Sequence, residues 1–148
     1  MSPKHLGRRL GVVAAAAAAA LALTGSAAKA TPPDPGVTGT ILWQRTVGDT
    51  DLILREIHLP PHTGNGWHYH DGRLFAQVVR GTLTHFDATC RSDGVYPAGH
   101  YLTEPSGPNH VHTGRNLGST ELVLRVLYVL PAGSPLTEDA PNPGCPFE

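Results

Sequence analysis

The chain has 148 residues, with 11 basic, 12 acidic and nine histidine side chains and a formal net charge of −1. Four basic residues and no acidic one lie in the first thirty positions, so the rest carries seven arginines against 12 acids, a net charge of −5. That balance lacks the basic footprint that nucleic acids and anionic membranes require, and the length suits one domain around one core.

Residues 1–30 have the order of a secretory signal. Lys4, Arg8 and Arg9 form a basic head, an apolar run extends from Leu10 to Leu23, and Ala28-Lys29-Ala30 offers small residues for cleavage near Ala30. The apolar run is about 14 residues, short of the ~20 a membrane-spanning helix needs, so nothing holds the protein to a membrane after cleavage. Arg8-Arg9 also fits a twin-arginine signal, which would export the chain already folded; the general route fits equally. The expectation is a secreted or extracytoplasmic protein.

Residues 31–37 form a proline-rich leader that cannot hold a helix. Short apolar, β-branched runs follow at 38–46, 51–59, 73–79, 82–86, 99–104 and 120–130. Turn signals separate them, among them PPHTGNG, RSDG, PSGPN and NLGS. No sustained helical period interrupts the series, and this spacing argues an all-β sandwich or barrel. In the last run Leu122, Leu124, Val126, Tyr128 and Leu130 share one face and only Arg125 is charged, which marks a central strand. Cys90 and Cys145 are the only cysteines. In an oxidising compartment an even, small count reads as a disulfide, here tying the tail 136–148 to the body. The loop closed is over fifty residues, worth roughly 4 kcal/mol in the chain-entropy picture.

The chemistry concentrates in GNGWHYHDG, residues 64–72. His68 and His70 are two apart in an extended segment, so their imidazoles share one face and suit a single metal ion. A second pair, His110 and His112, stands in PSGPNHVHTGRNLG. His58, His62 and His100 read as solvated residues. His85 reads as a hydrogen-bonded residue that could line a barrel, and Glu104 as a rim acid with a lesser claim to act as base or ligand. Trp67 and Phe75 read as packing.

These two segments resemble the two motifs of the cupins. Gly66, His68, His70 and Gly81 match the first; Pro105, Gly107, His112 and Asn116 match the second with two residues inserted. The resemblance spans about residues 38–135, and the ending together with GWHYHDG is similar to small exported cupins of actinobacteria. It implies a cupin-type double-stranded β-helix, a jelly-roll barrel, with a metal in its mouth. It also implies a third imidazole ligand: His112 is the first choice because it keeps the spacing to Asn116, His110 is the second because it keeps the spacing from Gly107, and both could face the ion. The family pattern places a glutamate seven residues before the closing glycine. Counting back from Gly81 reaches Leu74, and residues 73–76 hold no carboxylate.

The expected shell is therefore three or four imidazoles plus water around zinc, iron, nickel or copper. The reading is an exported single-domain cupin that binds a divalent transition metal and a small-molecule ligand or substrate, with homodimers through sheet edges a common family assembly. The alternatives are a metal-dependent dioxygenase, isomerase or decarboxylase, and a metal-free structural or ligand-binding barrel.

Overall fold

The computed structural model describes residues 30–147; the signal-sequence reading falls almost wholly outside them. Ten strands follow in chain order: β1 (Thr38–Val47), β2 (Thr50–Leu59), β3 (His68–Tyr69), β4 (Arg73–Arg80), β5 (Thr82–Asp87), β6 (Ser92–Pro97), β7 (Tyr101–Glu104), β8 (His112–Arg115), β9 (Leu122–Pro131) and β10 (Glu138–Asp139). They form two five-stranded sheets, ordered β1-β2-β9-β4-β7 and β10-β3-β8-β5-β6. Every pairing is antiparallel.

The core lies between the sheets and follows from strand parity. On β9, Leu122, Leu124, Val126, Tyr128 and Leu130 are all buried and meet Leu74, Ala76 and Val78 of β4 and Ile57 and Leu59 of β2. β9 is central in its sheet, as its near-absence of charge implies. The opposite edge is different in kind: β1 is exposed along its whole length.

Four strands lie outside the apolar runs. β6 occupies residues read as a turn, because Gly94 and Pro97 depress the strand signal. It is an edge strand paired only to β5, where such residues are tolerated. The other three, β3, β8 and β10, are two to four residues long and carry no apolar alternation of their own.

Leader and tail pack onto the β3 loop. Asp34 Oδ2 accepts the Gly64 N–H at 2.7 Å, and the Thr31 N–H donates to the Ala140 carbonyl at 3.0 Å. Gly66 has φ +78°, and a Cβ there would overlap the Thr31 carbonyl, so glycine is required both for conformation and for space. On the far side Trp67 is fully buried under Phe147, Ala140 and Cys145.

Cys90 and Cys145 are joined, closing a separation of 55 residues. Thiol titration of the denatured, unreduced protein should find no free thiol. Reduction should lower unfolding free energy by roughly 4 kcal/mol, read from urea midpoints with and without reductant. Two titratable thiols per chain would contradict the pairing.

Candidate metal centre

His68 sits directly opposite His112 in the β3–β8 ladder. His70 follows His68 by two residues and turns to the same side. Glu104 ends β7 in the other sheet, and its carboxylate faces the three imidazoles across the barrel. One ligand atom from each of His68, His70, Glu104 and His112 lies within 4.8 Å of the others. Ring centroids are 4.5 Å apart for His68 and His112, and 4.8 Å for His68 and His70. Glu104 Oε2 is 3.1 Å from His70 Nε2 and 3.3 Å from His112 Nε2.

The backbone sets the tautomers. His68 Nδ1 donates to the Gly66 carbonyl at 2.8 Å, His70 Nδ1 to Leu136 at 2.7 Å and His112 Nδ1 to His110 at 2.6 Å. With each Nδ1 protonated, each neutral ring directs an Nε2 lone pair at the centre, the usual arrangement of ligating histidines. The Nε2 atoms of His70 and His112 are buried and lack an aligned hydrogen-bond partner. Lone pairs and a carboxylate that converge in a buried site require a positive charge among them. A divalent cation fits. With bonds of about 2.1 Å, neighbouring ligand atoms lie about 3.0 to 3.4 Å apart, which matches the Glu104 contacts.

The pKa directions follow from the same convergence. Burial pushes the Glu104 carboxyl up, but the facing His112 and His70 outweigh it and hold it well below the usual carboxylate range. Burial pushes His112 down, yet the Glu104 carboxylate leaves it raised above 6.5. Without metal, His112 keeps its proton to higher pH than a free imidazole, and a metal ion must displace that proton where it is present.

No family model matches the chain, and no curated protein matches it by sequence. Solved structures do match by shape. A double-stranded β-helix protein from Klebsiella pneumoniae aligns over 73% of this chain and 88% of its own, with TM-score 0.56 and 18% identity. The polyketide cyclase RemF from Streptomyces resistomycificus aligns over 78% and 84%, with TM-score 0.58 and 18% identity. A cupin superfamily protein from Desulfitobacterium hafniense aligns over 66% and 80%, with TM-score 0.51 and 9% identity. The chain has the cupin fold.

Within this cupin barrel three of the four expected histidines come together and one does not. His110 is exposed and offers the centre only its backbone carbonyl, which orients His112. The insertion explains this: Gly107, φ +104°, donates its N–H to the His70 carbonyl, and residues 107–110 close a turn that carries the His110 ring outward. Asn116 is buried and its amide donates to the Leu59, Pro60 and Thr120 carbonyls, a structural role. His58 lies on the outer face beside Glu56 and Glu121; His62 and His100 are exposed.

Glu104 corrects the expectation of an all-imidazole shell. Leu74, at the family's carboxylate position, is its cross-strand partner, so the acid has moved one strand sideways. A signal existed in the sequence. Leu102 is inward by its apolar character, so Glu104, two residues on, is inward too. His85 is also nearer than expected. Its ring centroid is 4.8 Å from that of His112, its Nε2 is 3.6 Å from Glu104 Oε1, and its Nδ1 meets Asp93 Oδ1 at 2.6 Å.

Acid should destabilise the metal-free protein through His68. Burial, with His112 and His70 nearby, pushes its pKa from 6.5 to about 3. The unfolded chain takes up this proton near 6.5 and the folded chain does not, so the stability is full above 6.5 and lost as pH falls toward 3. His112 has the opposite sign: its contribution is complete below 6.5 and lost as pH rises through its raised value. Urea unfolding of metal-free protein should show roughly 3 kcal/mol less stability at pH 4 than at pH 6.5. An unchanged midpoint would mean that water reaches His68.

Proposed function

We propose that this protein is an exported metal-binding cupin. His68, His70, His112 and Glu104 hold a divalent transition metal, and a small organic molecule occupies the cavity beside it. The convergence of three backbone-oriented Nε2 atoms on one carboxylate carries the reading. The ion would supply a Lewis acid with open positions for a ligand. Three imidazoles and one carboxylate leave a net charge of +1 at a divalent centre, and suit zinc or ferrous iron with manganese as an added candidate.

Export rests on the signal-like residues 1–30 with cleavage near Ala30, and the Cys90–Cys145 bridge suits an oxidising compartment. The mature protein is then the leader 31–37, the barrel 38–135 and the bridged tail 136–148. The β1 edge offers a dimer surface: Ile41, Leu42, Trp43 and Val47 are each about half exposed. Trp43→Glu should then shift the mass seen by light scattering from dimer to monomer.

Turnover is the second reading, and His85 favours it. Asp93 fixes this ring beside the metal cluster, and its Nε2 is buried without an aligned partner. His85→Phe should retain metal; loss of turnover with metal retained would assign the ring to chemistry.

Elemental analysis of protein purified without an affinity tag tests the main reading. About one metal ion per chain is expected. No metal, even after incubation with zinc, iron, nickel and copper, would leave the metal-free barrel.

A further inference from the structure

The cavity that opens from the metal cluster into the barrel is about 170 Å³. Its walls are mixed: Leu74, Ala76, Leu124 and Val126 form an apolar side, and Glu104 and the histidines stand at one end. Arg55 is the one arginine among the residues that line the cavity. Arg55 stands on β2 opposite Val126 of β9, so parity directs it into the barrel. The seat for its side chain is built. A Cβ on Gly39, in β1, would overlap the Arg55 guanidinium, so this glycine is there for space.

Arg55 has no ion pair to hold its charge: among the described residues no carboxylate lies within ion-pair distance of it, and the arginines that pair are Arg80 with Glu121 and Arg125 with Glu56, both on the outside. Its neighbour inside is the Tyr128 phenol, where burial raises the pKa and Arg55 opposes that rise. The Tyr128 ring packs in turn on His70, with centroids 5.8 Å apart. Arg55, Tyr128 and His70 thus form a continuous line from the cavity wall to the metal cluster. The Tyr128 phenol can satisfy only part of the Arg55 fork and carries no charge, and a planar guanidinium without an ion pair suits a carboxylate.

We propose that Arg55 anchors the carboxylate of a small organic acid whose apolar body fills the cavity and whose other end meets the metal centre. The inference rests on the metal-site reading and names the ligand class for it. Size narrows the class: a cavity of about 150 Å³ accepts benzene, so the acid is compact, a single ring or a short branched chain.

Benzoate and its neutral counterpart benzamide are the probes, titrated calorimetrically into zinc-loaded protein. Benzoate should bind about tenfold or more tightly than benzamide, the span of one charge-assisted contact. Arg55→Met should remove that preference while zinc content stays constant. The variant puts an apolar chain in an apolar wall, so folding should not suffer. Gly39→Ala should weaken benzoate in the same way without changing any charge, because it displaces the guanidinium. A preference that survives in Arg55→Met overturns the proposal, and so does wild-type protein that does not distinguish the two probes. A preference lost on stripping zinc but kept in Arg55→Met would place the carboxylate on the metal instead. Failure to take up zinc would sink the metal-site reading alone, since the Arg55 comparison can still be made on metal-free protein.

Discussion

Replacing His112 by alanine should abolish metal binding, and so should replacing His68; replacing His110 or His58 should leave it intact. Each of the first two rings directs an Nε2 at the centre, and each is pre-oriented through its Nδ1. Loss of a group that merely orients a ligand costs about 10- to 100-fold in metal affinity, so loss of a ligand should cost more than about 100-fold. The His110 ring points to solvent, and its carbonyl, which the substitution keeps, is all that His112 uses. Competition with a chelator measures the affinities, and metal content after dialysis confirms them. A damaging His110→Ala beside a silent His112→Ala would move the third ligand two residues and contradict the convergence of the three rings.

The all-β class was legible because burial imposes it on sequence. A strand with one face in the core must alternate, and the runs at 51–59, 73–79 and 120–130 do so because β2, β4 and β9 are adjacent in one sheet. The second sheet was harder to read. β3, β8 and β10 are short and carry histidine, glycine and acid instead of apolar residues; on β3 and β8 the inward positions hold His68 and His112 of the cluster. The residues that make the site thus weaken the pattern by which its strands would be recognised.

Ligand assignment followed a similar line. His68 and His70 needed only the period of two. Choosing between His110 and His112 needed the register, which sets His112 against His68 in one direction and Asp87 in the other. The spacing to Asn116 favoured His112, but His110 has the same parity and the spacing from Gly107, so sequence alone left it open. Glu104 was displaced for a related reason: a search confined to the strand of Leu74 cannot see the position across the ladder. Two positions on neighbouring strands can be closer in space than two on one strand.

That displacement leads to an exchange experiment. Leu74 and Glu104 are opposite one another in the β4–β7 ladder, and both line the cavity beside His68 and His70. Cross-strand partners have Cβ atoms about 5 Å apart, within the reach of a glutamate side chain. Glu104→Leu alone should cost more than about 100-fold in metal affinity, since it removes the one anionic donor. Leu74→Glu alone should gain little. It sets two carboxylates side by side in a buried site, where like charges oppose joint ionisation, and should cost the metal-free protein several kcal/mol. Leu74→Glu combined with Glu104→Leu should recover most of the lost affinity. The double variant again has one carboxylate, one leucine and three imidazoles, with the acid on β4, where the cupin pattern puts it. Affinities for zinc and manganese, again by chelator competition, are compared across all four proteins. If the double variant binds no better than Glu104→Leu, then Leu74 does not reach the centre, and Glu104 acts through the backbone of β7 rather than as an exchangeable oxygen donor.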